Sequence, residues 1–194
     1  MHIVLGSQSP RRKEILDFFK LPFTVCSSNF DESSVAFSGS SEDYVKTQAK
    51  QKALSLKDRH HNDLIITADT TVYFNQKLFQ KPLDEREAFL FLKELSGNTH
   101  EVYTGVATWY QGELLTEVAM TKVTFHPMTD AQIKQYINAT HPLDKAGAYA
   151  IQGLGILIVA KIEGCYYNVM GLPIRSLCNL LKHSGIDLWT YATQ

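Results

Sequence analysis

The order in which strand-like and helix-like segments follow one another constrains the fold of this chain more than any other feature. Residues 2–5 form a short apolar segment typical of a buried strand, and Ser9-Pro10 predicts a helix start with Ser9 as N-cap. A second helix is predicted from Ser41 to about Leu56, before an apolar strand at 64–68. Strands and helices that alternate in this way favour an α/β fold.

The second half of the chain combines longer strands with further helices. Residues 111–112, Gln-Gly, predict a hairpin turn between strands at 102–110 and 114–125. No repeat, low-complexity tract or long linker interrupts the pattern, so we expect residues 1–194 to form a single mixed α/β domain. The other predicted elements are strands at 23–26, 72–74 and 78–80, helices at 84–95, 129–138 and 173–183, and a hairpin of 154–162 with 165–169.

Composition excludes several classes of function. The chain has 19 Lys and Arg against 20 Asp and Glu, a formal net charge of −1, whereas binders of nucleic acid or anionic membranes need a basic excess. The longest apolar run, residues 153–160, is far shorter than the roughly 20 residues of a membrane span, and no secretory signal fits the N-terminus. Three widely spaced cysteines argue against disulfides or a zinc site. We therefore expect a cytoplasmic protein with buried thiols and neither a nucleic-acid nor a membrane partner.

The first candidate cluster, residues 7–12, joins the end of a strand to the start of a helix. Free backbone N–H groups and the positive end of the helix dipole make such a junction suitable for an anion. Arg11 and Arg12 add planar donors that bind phosphate oxygens in pairs, and Ser7 and Ser9 add hydroxyl groups. A capped helix that carries two solvated arginines is the alternative interpretation.

The second cluster, residues 67–71, lies where the apolar strand 64–68 is predicted to end. Ligand crevices of α/β proteins lie beyond the carboxyl ends of parallel strands, which places Asp69 where chemistry usually occurs. A carboxylate there can hold a hard divalent cation or accept a proton from water. An aspartate that merely caps a turn after the strand is the alternative.

The third cluster, residues 144–153, is rich in small residues that let the backbone approach a ligand closely. Gln152 could read the edge of a nucleobase, although a purely structural tight turn explains the same composition. Glu32, Lys52 and Lys81 are weak signals individually. Together the clusters supply cations for phosphate and carboxylates for a divalent ion and for water, which is what a metal–polyphosphate site requires.

At these residues the sequence resembles the Maf family of nucleoside triphosphate pyrophosphatases, also known as septum-formation-inhibitor proteins. The matching segments follow in order over nearly the whole chain, and as a set they are highly specific. They are SQSPRR at 7–12, Asp31-Glu32, AKQKA at 49–53, TADTTV at 67–72, Lys81-Pro82, LSGNTHEVYTGVA at 95–107, LDKAGAYAIQGLG at 143–155 and VMGLP at 169–173.

The resemblance implies hydrolysis of a nucleoside triphosphate between the α and β phosphates, with Asp69 as proton acceptor. It implies a divalent cation, Mg²⁺ or Mn²⁺, which we assign to Asp69 and Glu32, and it implies a homodimer. The implied fold is an elongated mixed β-sheet flanked by helices, with two lobes and a central cleft. The family's substrate-determining positions fall on Arg11, Thr70 and Gln152, and its other site residues fall on Ser7, Arg12, Glu32, Lys52 and Lys81.

The stretch at 148–153 resembles the branch of the family that acts on dTTP and UTP. A glutamine amide can donate and accept at once, which suits the edge of a uracil or thymine ring. The alternatives are a 7-methyl-GTP pyrophosphatase, a related enzyme for modified purines, and a non-catalytic nucleotide-binding regulator of septum formation. The chain departs from its relatives at His141-Pro142, where they commonly have Glu-Pro. That difference either alters metal affinity and pH dependence or has no catalytic effect.

Overall fold

The computed structural model describes residues 1–192, within which seven strands form one mixed sheet. The strands are β1 Ile3–Leu5, β2 Thr24–Val25, β3 Leu64–Phe74, β4 Lys77–Phe79, β5 Thr99–Tyr110, β6 Glu113–Phe125 and β7 Val159–Glu163. Their order is β2-β1-β3-β5-β6-β7, and β4 pairs with β3 off this path. β1 is parallel to β2 and to β3, whereas β4 is antiparallel to β3 and β7 to β6.

Helices flank this sheet, so the predicted α/β class is confirmed. The α-helices are α1 Pro10–Asp17, α2 Ser41–Leu56, α3 Glu85–Leu95, α4 Asp130–Thr140, α5 Tyr166–Met170 and α6 Ile174–His183. Short 3₁₀ segments lie at Glu32–Ser34, Pro142–Asp144, Ala146–Ala148, Gly153–Leu157 and Leu188–Tyr191. Among residues 1–192, no helix combines the length and the apolar character that crossing a bilayer demands.

The chain divides into two compact units, each assembled from separate segments. The first unit comprises Met1–Asp69, Thr104–Ala119 and the chain from Gly171 onward, and the second comprises Thr70–Tyr103 and Met120–Met170. Small side chains of α2 bring that helix close to the strands in the core of the first unit: Ala49 and Ala53 pack with Ile65 and Ala107. In the second unit the core includes Val72, Phe79, Leu92, Phe125 and Ile133.

Gly105 shows how close α2 comes to β5. A Cβ atom at this position would lie 2.4 Å from the carbonyl oxygen of Val45, far inside van der Waals contact. The absence of a side chain at Gly105 therefore lets the backbones of α2 and β5 approach each other closely.

The strand that carries Asp69 is longer than predicted. The sequence suggested an end at residue 68, but β3 continues to Phe74, so Asp69 is an internal residue of the strand rather than a residue beyond its carboxyl end. The β-branched Thr70 and Thr71 favour extended backbone. The Asp69 carboxylate is paired with a buried lysine, and the attraction between the two charges offsets part of the cost of burying them.

The predicted hairpin of 154–162 with 165–169 is wrong. Residues 153–157 form a 3₁₀ turn, and β7 starts only at Val159 and pairs with β6. A Cβ atom on Gly155 would lie 2.3 Å from the carbonyl oxygen of Ala150, which shows how tightly this segment folds back. The residues after Gly164 form α5, whose buried Asn168 donates to the carbonyl of Val102.

The three cysteines are unpaired, as the sequence indicated, but they are only partly buried, so the expectation of buried thiols is wrong. The Gln111-Gly112 hairpin is confirmed, with both residues in the left-handed conformation that a tight two-residue turn requires. The predicted first helix starts at Pro10 with Ser9 at the N-cap position, although within residues 1–192 the Ser9 hydroxyl caps no amide.

Candidate active site

The turn between β1 and α1 contributes the Ser7 hydroxyl to the first unit, and the first turn of α1 contributes the Arg12 guanidinium. Ser7 is buried, and its hydroxyl oxygen accepts a hydrogen bond from the Ser9 amide at 3.2 Å and another from Arg12 Nη1 at 3.2 Å. The first residues of α1 follow immediately, so the positive end of the helix dipole lies at the same turn. This turn therefore has the properties of an anion site.

Arg12 is fixed at both ends of its guanidinium. Nε donates to the carbonyl of Gly171 at 2.8 Å, and Nη1 donates to Ser7. Burial lowers the pKa of Arg12 from its ordinary value, while the nearby carboxylates of Asp69 and Glu32 oppose that shift. The charge of Arg11 also lowers the pKa of Arg12, which indicates that the two cations lie near each other.

Lys52 lies between two carboxylates. Its ammonium nitrogen is 2.6 Å from an Asp69 oxygen and 3.0 Å from a Glu32 oxygen, and the lysine is only 5% exposed. Asp69 is buried as well, whereas the Glu32 side chain is about half exposed. A buried ammonium needs such partners, because an unpaired charge in the interior is strongly unfavourable.

Helix α2 and a 3₁₀ segment hold this trio. Lys52 is on the buried side of α2, which begins after Ser40, whose hydroxyl accepts from the Asp43 amide at 3.1 Å. Glu32 opens the segment Glu32–Ser34, whose N-cap Asp31 accepts from the Ser33 amide at 3.0 Å. The three charged groups thus come from a helix, a strand and a capped loop.

The first unit therefore brings together Ser7, Arg12, Glu32, Lys52 and Asp69, with Arg11 on the same helical turn as Arg12. The cationic donors can bind phosphate oxygens, and the neighbouring carboxylates can accept a proton from water. Asp69 and Glu32 are the residues that could hold a divalent cation, since both supply hard oxygen ligands. In the part of the chain that the structure describes, no cluster of three or more His, Cys, Asp or Glu forms a metal site by itself.

The other predicted site residues belong to the second unit. Thr70 follows Asp69 in β3, and its side chain therefore leaves the strand on the opposite face. Lys81 is exposed in the segment between β4 and α3. Gln152 is half-buried and stands at the N-cap position of the 3₁₀ segment Gly153–Leu157.

The glycine-rich segment 144–153 contains tight turns within the second unit. Gly147 has φ +68°, donates its N–H to the carbonyl of Gln80 at 3.1 Å, and leaves no room for a Cβ atom against Val72. His141 ends α4 in a left-handed conformation with φ +42°. That backbone conformation is uncommon outside glycine.

Sequence reasoning missed two contributors to the first unit. The Gly171 carbonyl fixes Arg12, and Gln48 donates to the main-chain carbonyl of Glu32 at 2.7 Å. Gln48 precedes Lys52 by four residues, so the helical period alone places both on one face of α2. That spacing could have identified Gln48 from the sequence. By contrast, nothing in the sequence indicates that Arg12 contacts a residue 159 positions away.

Comparison with known proteins matches this chain to one family. The family model described as Maf-like protein matches residues 2–184. Proteins named dTTP/UTP pyrophosphatase are similar over their full length. The one from Clostridium perfringens strain SM101 is 45% identical over 97% of this chain and 100% of its own. The Chlamydia caviae protein is 44% identical, covering 97% of both chains, and the Halalkalibacterium halodurans protein is 43% identical, covering 95% and 97%.

Among solved structures, the chain is similar to the Ham1 protein of Staphylococcus aureus. The likeness covers 95% of this chain and 97% of that one, at a TM-score of 0.49 and 13% sequence identity. A likeness at this level carries no argument about function.

Proposed function

This chain belongs to the family of Maf-like proteins, and we propose that it hydrolyses dTTP and UTP to the nucleoside monophosphate and pyrophosphate. The observation that carries the proposal is the buried Lys52 ammonium between the Asp69 and Glu32 carboxylates, with Arg12 and Ser7 in the same unit. Relatives named dTTP/UTP pyrophosphatase, at 43–45% identity over nearly their full length, support the choice of substrate.

In the proposed mechanism the cations bind the triphosphate. Arg11, Arg12 and the amides at the start of α1 hold phosphate oxygens, and the Ser7 hydroxyl adds a donor. Arg12 is already held by Gly171 and Ser7, so its guanidinium loses little freedom when it binds. Lys52 and Lys81 offset the negative charge that builds up on the departing pyrophosphate.

Asp69 is the proposed proton acceptor. It takes the proton from the water that attacks the α-phosphorus in line with the leaving group. Lys52 keeps the Asp69 carboxylate in one orientation through the 2.6 Å contact. The new bond joins the water oxygen to the α-phosphorus, and the bridging oxygen leaves with pyrophosphate.

A divalent cation, Mg²⁺ or Mn²⁺, is part of the proposal. Mg²⁺ is commonly bound through one or two carboxylates together with substrate phosphates, and the Asp69–Glu32 pair fits that donor set. When bound, the ion would neutralise phosphate charge and polarise the phosphoryl oxygens. Because only two protein carboxylates are available, we propose that the metal binds together with the nucleotide, whose phosphates supply further ligands.

We propose that Arg11, Thr70 and Gln152, the positions that determine the substrate in the family, set the preference of this chain among nucleotides, with Gln152 reading the base. An amide at Gln152 can donate to O4 and accept from N3–H of uracil or thymine, whereas a carboxylate can only accept. Gln152→Glu should therefore lower kcat/KM for UTP and dTTP more than for other nucleotides. Unchanged ratios among nucleotides would exclude a base-reading role.

We also propose that the protein works in the cytoplasm as a homodimer and that residues 1–194 form one domain. The three unpaired cysteines support a reducing compartment. The proposal of a homodimer is supported only by the resemblance to the family. Sedimentation velocity of the purified protein would decide between monomer and dimer.

The decisive experiment measures pyrophosphate release from dTTP, UTP, CTP, 7-methyl-GTP and purine nucleotides with Mg²⁺ or Mn²⁺. We expect turnover of dTTP and UTP, and a loss of at least about 100-fold in Asp69→Asn, because that change removes the proton acceptor. Asp58→Asn, an exposed carboxylate on the segment after α2, is the matched control. Turnover of 7-methyl-GTP alone would overturn the pyrimidine assignment, and nucleotide binding without turnover would favour a regulator.

A further inference from the structure

The 3₁₀ segment Glu32–Ser34 is attached to helix α2 at two points. Lys52 Nζ contacts the Glu32 carboxylate at 3.0 Å, and Gln48 Nε2 donates to the Glu32 main-chain carbonyl at 2.7 Å. Gln48 and Lys52 are one helical turn apart, so one face of α2 holds both the backbone and the side chain of the same residue. The carboxylate itself is about half exposed, and the bond from Gln48 to the Glu32 carbonyl adds a second restraint on the same residue.

The orientation of the Gln48 amide follows from its partners. The Glu32 carbonyl can only accept, so the group facing it must be the NH₂ of Gln48, which also donates to the Tyr44 hydroxyl at 2.9 Å. Gln48 is 1% exposed, and its amide oxygen has no partner within the described chain. An amide buried in this way costs free energy that an apolar residue would not cost. The two hydrogen bonds that Gln48 donates, to Glu32 and to Tyr44, therefore offset the cost of burying its amide.

We propose that Gln48 is a positioning residue that sets the place of Glu32 in the active site. The inference rests on the proposed function, because it assigns Gln48 a role in the reaction through Glu32. Gln48 does not contact the substrate in this proposal. It holds the Glu32 backbone so that the carboxylate remains within reach of Lys52 and Asp69.

The first test measures the loop itself by amide hydrogen exchange. We expect peptides covering residues 29–36 to exchange about fivefold faster in Gln48→Met, because one donated hydrogen bond to that loop is lost. Gln51→Met, the same change on a half-buried glutamine of α2, is the matched control and should leave the loop unchanged. Unchanged exchange in Gln48→Met would overturn the proposal. This readout needs no turnover, so it stands even if the proposed hydrolysis is not found.

The second test is a double-mutant cycle on UTP hydrolysis. We expect Gln48→Met to lower kcat about tenfold with a small change in KM, because a displaced Glu32 affects the reaction more than binding. In a Glu32→Ala background the same change should lower kcat no further, since its effect passes through Glu32. An equal loss in both backgrounds would overturn the proposal. Gln48→Asn, which keeps an amide but shortens its reach, repeats the cycle if Gln48→Met does not fold.

Discussion

At the scale of single residues, Lys52 connects the parts of the candidate site. It is almost fully buried, and its ammonium group is the common partner of a buried and a half-exposed carboxylate. From the residues alone Lys52 was a weak signal, and its predicted role in the site came from the resemblance to the family. Burial, which distinguishes it from its exposed neighbours Lys46 and Lys50, comes from the way α2 packs on the sheet.

Arg12→Lys tests the fixed guanidinium. A lysine keeps the charge but cannot donate to Gly171 and Ser7 from two nitrogens of one planar group. We expect KM for UTP to rise about tenfold, the effect of losing one oriented charged hydrogen bond. The measurement is steady-state kinetics of pyrophosphate release.

The control for this change is Arg59→Lys, since Arg59 donates to a backbone carbonyl, that of Ser27, in an exposed position. It should leave KM unchanged. An unaltered KM and kcat in Arg12→Lys would mean that the guanidinium geometry has no part in binding phosphate.

His100 predicts how stability responds to acid. Its ring packs edge-on against Phe125 and Tyr149, its Nε2 lies 2.8 Å from the Tyr149 hydroxyl, and its buried Nδ1 has no partner among residues 1–192. Burial lowers the pKa of His100 from 6.5 to about 4. The unfolded chain therefore binds a proton at higher pH than the folded chain. Neutral His100 therefore contributes to the free energy of unfolding in full above about pH 6.5. This contribution is lost progressively toward pH 4, by up to about 3 kcal/mol.

The measurement is urea unfolding of the protein and of His100→Gln at about pH 7.5 and about pH 5. Glutamine can still bond to the Tyr149 hydroxyl but does not titrate in this range. We expect the free energy of unfolding to fall more on acidification in the original protein than in His100→Gln. Equal losses would show that His100 does not stay neutral in the folded state.

At the scale of elements, the sequence predicted the regular segments well and failed where a tertiary contact decides the outcome. The start of α1 and the hairpin at Gln111-Gly112 are set by local conformational preferences, and both are confirmed. β3 continues past Asp69 through the β-branched Thr70 and Thr71, and Asp69 forms an ion pair with a lysine of α2. The β-branched residues are a local signal for the strand, but no local pattern shows the ion pair.

The failed hairpin at 154–169 has the same origin. The apolar residues Leu154, Ile156 and Leu157 suggest a strand, but Gly155 packs on the Ala150 carbonyl and the segment turns. The predicted active-site roles of Asp69, Glu32 and Lys52 came from the family motifs. Their meeting in space is a result of the fold, which spacing along the chain could not establish.

The packing of α2 on β5 predicts the effect of Gly105→Ala. The added Cβ would overlap the Val45 carbonyl, and the backbone of a helix cannot move aside as a flexible side chain can. We expect a loss of about 2–4 kcal/mol in the free energy of unfolding, measured by urea denaturation. Gly112→Ala is the comparison, because its surroundings are open and only its φ of +88° is unfavourable. If Gly105→Ala lowered the free energy of unfolding no more than Gly112→Ala, the close approach of β5 to the α2 backbone would be contradicted.

At the scale of the whole molecule, the two units are each built from separated segments of the chain. The first unit needs residues from both ends and from the middle, and the second is interrupted by Thr104–Ala119. Neither unit is a single continuous segment of the chain. We therefore expect one cooperative thermal transition, in which circular dichroism and tryptophan fluorescence give the same midpoint. Two resolved transitions would contradict the prediction that residues 1–194 form one domain.

Hydrolysis of UTP in water enriched in ¹⁸O tests the central claim of α-phosphorus attack most directly. The water that gives its proton to Asp69 is proposed to bond to the α-phosphorus, so its oxygen must remain on the monophosphate. We expect mass spectrometry to find one ¹⁸O atom in UMP and none in pyrophosphate. Label in pyrophosphate, release of orthophosphate in place of pyrophosphate, or no hydrolysis of UTP would contradict the account.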